Sequence, residues 1–434
     1  MGITDEEHPI LIARRYVQSL RQLQPDLGRY FLAVALLGFA VDGGVYAVLL
    51  NLFLARLGYG PAVIGLVNAA GMVVFALVSL PAGIVGERWG SQRIMLWGVG
   101  LLVAGALLLP LADLLPVAAR LPWLITMIIC LYLGLALAFV NTAPLLLALV
   151  APHQRNHAYA TQTALLGLAS FMGSLLGGLV PTGVSFLMGV SLDQPMPYRY
   201  GLMVAGVAVI PGLLALARIQ PGTVPALPAV PTGAPGARAA TSIRGLLALI
   251  ALVRVLQIAG LAVISTFSNL YLDAALHVPT AQIGVLLAMG RLVSVPAALS
   301  SAALSSRFGN RTVVIGASLA TAVGMLPIVL IPHWAAAGLS LLIVSGLSGV
   351  RYAASMVYFL DLVPPHRRAT TAGVTEMAAG ICFTALTFGG GYIITLLGYR
   401  ALFLLGATLT GLSAVVFWVL FRGRQGHPRP DDRW

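Results

Sequence analysis

Gly83-Ile84-Val85-Gly86-Glu87-Arg88-Trp89-Gly90-Ser91-Gln92-Arg93 is a short polar interruption between two long apolar runs. Its landmarks recur. Ile64-Gly65 precedes Arg88-Trp89-Gly90 with 25 residues from Gly65 to Gly90, and Ile283-Gly284 precedes Arg307-Phe308-Gly309 with the same 25 from Gly284 to Gly309. Upstream, Asn51-Leu52-Phe53-Leu54 matches Asn269-Leu270-Tyr271-Leu272. Downstream, Pro152-His153-Gln154-Arg155 matches Pro365-His366-Arg367-Arg368. Four matches in one order indicate an internal duplication.

The duplicated unit is a membrane unit. Of 434 residues 59% are hydrophobic and 9% charged, and the mean hydropathy is +0.95. A soluble fold cannot bury that much apolar surface. Disorder is excluded by the same numbers, and a disulfide scaffold by the two cysteines, Cys130 and Cys382, which sit in apolar runs and read as packing residues. A helix needs about 20 apolar residues to cross the hydrocarbon layer. Twelve runs qualify: 30–57, 61–85, 93–112, 121–150, 159–185, 199–219, 245–272, 279–303, 311–332, 337–362, 370–397 and 399–421, numbered here spans 1 to 12.

The net charge of +12 is all arginine on the basic side. With both termini on one side, that side holds 18 of the 25 arginines, among them Arg29, Arg88, Arg93, Arg307 and Arg311. The opposite turns hold Arg56, Arg120, Arg199 and Arg400. This asymmetry puts both termini in the cytoplasm of a cell-membrane protein and explains the basic pI without a nucleic-acid partner. The proline-rich stretch from Pro221 to Pro235 cannot cross a bilayer. The expected organisation is a cytoplasmic segment 1–29, a six-helix bundle 30–219, a cytoplasmic linker 220–244, a second six-helix bundle 245–421 and a tail 422–434. Within the first segment, residues 9–24 pattern as an amphipathic surface helix. The fold class is an all-α membrane protein of twelve transmembrane helices in two pseudo-symmetric halves, a repeat plan of secondary transporters.

With these features the chain resembles the major facilitator superfamily from about residue 30 to 421. The span 2–3 loop follows that family's Gly-x-x-x-(Asp/Glu)-Arg-x-Gly-x-x-(Arg/Lys) pattern. The resemblance implies that this loop clamps the halves together in the outward-open state, with Glu87, Arg88, Gly90 and Arg93 as its elements. In the second copy Arg307, Gly309 and Arg311 are kept, but Ser306 stands where an acid would be. It also implies that spans 1, 4, 7 and 10 line a central cavity and that spans 2, 5, 8 and 11 join the halves. The Gly-Pro dipeptide of drug antiporters is missing from span 5. Gly173-x-x-x-Gly177 reads as a packing stripe.

Ionisable groups at membrane depth cost about 2.5–3.5 kcal/mol on insertion scales and mark functional sites. Asp42 lies mid-span, followed by Gly43-Gly44. Its short side chain cannot reach bulk water, which suits reversible proton uptake. Glu376 of span 11 is the second candidate proton carrier. Arg291 of span 8 and Arg351 of span 10 each need an anion or a wet cavity. Arg254 of span 7 is placed to snorkel. Asn141, Gln257, Asn269, Tyr46 and Tyr352 complete the expected substrate cavity, with Asn51 and Gln162 as further amides. No metal site is expected, since His153-x-x-x-His157 has no third ligand nearby, and no cofactor. No P-loop, intramembrane HExxH or Gly-x-Ser-x-Gly elbow suggests an enzyme. The expectation is a monomeric, proton-coupled transporter exporting small amphipathic compounds by alternating access. The alternatives are uptake of an organic anion held by Arg291 and Arg351, and a non-transporting receptor or assembly factor.

Overall fold

The computed structural model describes residues 25–150, 155–219, 237–363 and 368–422. Among these residues the chain is helical, and twelve helical segments are long and apolar enough to cross a membrane. Span 1 consists of two pieces, α1 (Pro25–Ala40) and α2 (Val45–Arg56). Spans 2 to 6 are Pro61–Trp89, Ser91–Leu108 with a 3-10 extension Leu109–Leu114, Val117–Leu149, Arg155–Met188 and Met196–Ala217. Spans 7 to 12 are Ala237–Ala274, Thr280–Phe308, Asn310–Gly324 with Leu326–Leu330, Trp334–Asp361, Arg368–Leu397 and Tyr399–Leu420. Several helices outrun the hydropathy blocks. Span 7 begins at Ala237, inside the stretch read as linker, because Ala237-Arg238-Ala239-Ala240 lies past the last proline and favours helix. The amphipathic 9–24 segment and His153 lie outside the described residues.

The even number of crossings puts both ends of the described chain on one side of the bundle, called here the termini side; the other is the far side. Spans 2 and 11 pack along each other, as do spans 5 and 8, and these pairs join the two halves. Spans 3, 6, 9 and 12 stand at the periphery. There Trp97, Val207, Val323 and Val415 keep apolar side chains exposed, as a lipid-facing surface requires.

The duplication is visible in the backbone. The span 2–3 turn is made at Gly90 (φ 91°, ψ 128°) and the span 8–9 turn at Gly309 (φ 78°, ψ 145°). Both donate their N–H back into the preceding helix, to Gly86 O at 3.0 Å and Ser305 O at 2.9 Å. Only glycine enters that region of φ without steric cost, so both copies need it there. In each half the start of the next helix is tied to the last one: Gln92 Nε2 donates to Leu216 O and Ile219 O, and Arg311 Nη2 donates to Trp418 O.

Glycine also decides where the halves touch on the far side. A Cβ at Gly178 of span 5 would sit 2.7 Å from the Cα of Gly284 of span 8. A Cβ at Gly65 of span 2 would strike Thr387 O of span 11. Backbone against backbone is the closest approach two membrane helices can make.

The broken span and the central cavity

Span 1 was expected to be continuous and is not. Residues 41–44, Val41-Asp42-Gly43-Gly44, leave the helix in mid-membrane, and Gly43 takes φ 81°. Unwound backbone in lipid costs several kcal/mol per unsatisfied group. Span 5 supplies the partners: Ser170 Oγ donates to Asp42 O and Ser174 Oγ to Gly43 O, both at 2.6 Å. The stripe on that helix has a matching purpose. A Cβ at Gly173 would collide with Phe39 O, and one at Gly177 would lie 3.1 Å from the Cα of Val45. Glycines and serines of span 5 thus form a bed for the break. The sequence signal was Asp-Gly-Gly itself, which an average over a hydropathy window dilutes.

The break opens onto a cavity of about 710 Å³ between the halves. Its lining includes Asp42, Gly43 and Ala47 of span 1, Leu166 and Ser170 of span 5, Ser265 and Ser268 of span 7, Arg291 and Ser294 of span 8, and Ser345 and Ser348 of span 10. Exposed lining residues such as Thr163 and Leu299 mark its mouth toward the termini side. A second compartment of about 300 Å³ shares Asp42, Gly43 and Arg291 and adds Tyr46, Asn51, Asn68, Tyr132 and Phe383. Asp42 therefore stands where the compartments meet. The Arg291 guanidinium lies against the Gly43 backbone so closely that a Cβ there would overlap it. Among the described residues Arg291 makes no side-chain hydrogen bond and no ion pair. A carboxylate and a guanidinium thus face one wet space without neutralising each other by direct contact. The serine ring, at mid-span on four helices, was missed at sequence level because single serines carry no periodic signal.

The far side is shut. Arg56 Nη1 and Nη2 donate to the two oxygens of Asp273, each at 2.7 Å, and its Nε donates to Leu192 O at 3.0 Å. One turn deeper, Asn51 Nδ2 donates to Asn269 Oδ1 at 3.2 Å. Asn269 Nδ2 donates to Ala47 O and Val48 O at 3.0 and 3.1 Å. Tyr198 and Thr280 share a hydroxyl contact at 3.1 Å. Asn51 and Asn269 occupy equivalent positions in the duplicated sequence, so the latch joins a residue to its own repeat.

Several other residues expected in the cavity lie elsewhere. Asn141 is buried within the first half and donates to Leu137 O and, across to span 2, Ala82 O. Asn269 belongs to the latch. Gln257 and Arg351 are buried between spans 7 and 10 and line neither compartment described here. Helical facing, not depth, separates them from the cavity, and depth was all the sequence offered. Arg254 is buried and does not snorkel; its guanidinium carbon lies 5.0 Å from the Tyr352 ring centroid. Tyr352 donates to Glu376 Oε1 at 3.1 Å, and Glu376 is exposed. Tyr46 lines the smaller compartment and donates to Ala106 O at 2.5 Å. Gln162 accepts from Tyr30. In the loops expected to clamp, Arg88, Arg93 and Arg307 are exposed, and Arg307 rests on the Phe308 ring. The Glu87 side chain lies outside the described residues.

Twelve spans in two joined six-span halves enclose a largely aliphatic cavity edged with serines, which is the architecture of a transporter fold. The family profile described as Major Facilitator Superfamily matches residues 31–256 and again 250–433, and the chain belongs to that family. It is therefore a multi-pass membrane protein of a transporter family. Solved structures share the fold at low identity. A mutant of the nucleoside transporter NupG superposes with a TM-score of 0.72 at 14% identity, covering 91% of this chain and 100% of that one. A D-xylose-proton symporter gives 0.66 at 14%, covering 91% and 95%. A bacterial homolog of the human lysosomal transporter Spinster, inward-facing and occupied, gives 0.65 at 15%, covering 91% and 96%. No curated protein matches the chain in sequence.

Proposed function

We propose that the protein is a proton-coupled secondary transporter that exports small amphipathic compounds by alternating access. The observation that carries this reading is Asp42, at the break of span 1 and on the wall of the central cavity, with no ion pair among the described residues. A carboxylate there can hold a proton in one orientation of the halves and release it in the other. Aliphatic walls interleaved with serine hydroxyls suit a compound with one polar end. By the positive-inside rule the open mouth faces the cytoplasm, where an exported compound must enter. Binding between the halves near mid-bilayer, with the halves rocking around it, is the general logic of the architecture.

A second reading rests on Arg291, which faces the cavity with no side-chain partner among the described residues. It would make the cargo an organic anion and the direction uptake. The receptor reading requires that the halves do not move. One experiment separates the three. A panel of amphipathic cations, neutral compounds and carboxylates is screened by thermal shift, and the strongest stabiliser is assayed in proteoliposomes under an imposed pH step. Proton-driven accumulation of a non-anionic compound, retained within a few-fold in Arg291→Ala, is expected. A carboxylate cargo abolished by Arg291→Ala supports uptake. Binding without flux supports the receptor.

A further inference from the structure

The most anomalous charges in the molecule lie outside the cavity. Arg351 of span 10 is 1% exposed, and its Nε, Nη1 and Nη2 have no hydrogen-bond partner among the described residues. The charged group its surroundings offer is another cation, Arg254 of span 7, within electrostatic reach. Arg254 is 3% exposed and its Nε is also unpartnered. Gln257, one turn from Arg254 on the same helix face, is 0% exposed with Nε2 unpartnered. Its Oε1 accepts from Ser355 at 3.4 Å, and Ser355 lies one turn from Arg351. The Ser355–Gln257 contact therefore ties the two helices together where the donors gather. Glu376 is exposed, accepts from Tyr352 and acts electrostatically on Arg254.

Guanidinium cannot shed its proton to escape burial. A buried pair of like charges, with an amide donor between their helices and no acceptor among the described residues, is stable when an anion sits among the donors. The acceptor must be small, because these residues line neither compartment of the cavity and are closed to bulk. We infer that spans 7 and 10 hold a monovalent inorganic anion of the chloride class, bound by the Arg351 guanidinium and Gln257 Nε2 and held electrostatically by Arg254. The ion is a structural co-ligand of the second half, distinct from any cargo in the cavity.

The test is melting of the full chain in detergent, titrating sodium chloride or bromide against sodium gluconate at constant ionic strength. The expected result is a saturable rise in Tm with either halide. Gln257→Met should raise the half-saturating halide concentration by about tenfold while leaving the Tm in gluconate near that of the parent. Arg351→Gln should abolish the response. Should Arg351→Gln fail to fold, Gln257→Met and an anomalous bromide peak beside Arg351 in crystals decide alone. No halide response in the parent, or an equal response in Gln257→Met, overturns the site. A halide response that appears only in Glu376→Gln also overturns it, because the counter-charge would then be the Glu376 carboxylate.

Discussion

The two ends of the seam between the halves are built differently. On the far side the contact is polar and close: the two-pronged Arg56–Asp273 pair, the Asn51–Asn269 exchange and the glycine crossings at Gly65 and Gly178. On the termini side the halves present exposed apolar and basic groups, among them Leu77, Trp89, Met377 and Arg88. A Cβ at Gly380 would lie 3.0 Å from Ala76 Cβ, so spans 2 and 11 still meet at mid-span, but the cavity mouth between spans 5, 8 and 10 is open. On the proposed alternating-access reading, the difference identifies the contacts that a rocking motion would have to exchange. The shut end is held by aligned polar contacts and close glycine crossings. The open end has none of them to lose.

The glycine crossing should be the most sensitive part of that contrast. Gly178→Leu puts a side chain where Gly284 already sits, so the far side should be unable to shut. In a background lacking Cys130 and Cys382, Ser268→Cys reports access to the cavity, since Ser268 is buried on its wall. Gly178→Leu should render that cysteine reactive to a membrane-impermeant thiol reagent from the far side, and transport should cease. Unchanged far-side labelling would mean that the crossing is not what holds the end closed.

The latch comes next. Asp273→Asn removes the negative charge and one of the two acceptors facing the half-buried Arg56 guanidinium. Loss of one partner of a buried pair costs about 3–5 kcal/mol, and solvent at this membrane edge lowers the figure. The expected outcome is a shift of labelling toward far-side access, smaller than that of Gly178→Leu and reversed by Arg56→Gln in the same chain. A double variant no better than the single would argue that the two residues act separately.

How much of this was legible beforehand differs between the same regions. The twelve spans, the duplication and the turn glycines Gly90 and Gly309 follow from local composition and spacing, which the chain itself displays. The latch does not, because Arg56 and Asp273 are 217 residues apart and each alone looks like an ordinary helix-end charge. Asp42 could be singled out by depth, since a mid-membrane carboxylate is costly anywhere. Arg351 could be singled out equally well, yet it is buried on the side of span 10 toward span 7 and lines neither cavity compartment. Depth is a property of sequence position, whereas facing depends on which helices the packing brings alongside. The break at 41–44 was hidden because apolar residues flank Asp-Gly-Gly on both sides.

The support for that break should give a smaller effect. Ser174→Ala leaves Gly43 O without its hydroxyl donor, at a cost of about 1–3 kcal/mol for a buried acceptor. A fall in Tm of a few degrees is expected, with the direction of flux unchanged. Ser174→Thr, which keeps the hydroxyl, should recover most of it. A Tm in Ser174→Ala equal to the parent's would show that the unwound carbonyl is satisfied in another way.

The central claim is that Asp42 carries the coupling proton, and one measurement bears on it most directly. Asp42→Asn mimics the protonated side chain at nearly the same volume. Parent and variant are reconstituted in vesicles, and the strongest stabiliser from the thermal-shift panel is followed under an imposed pH step and under equilibrium exchange. The account predicts that Asp42→Asn still binds and exchanges the compound but does not concentrate it. Accumulation by Asp42→Asn equal to that of the parent would contradict the account, make Asp42 a packing residue of the broken span, and move the search for the proton carrier to Glu376.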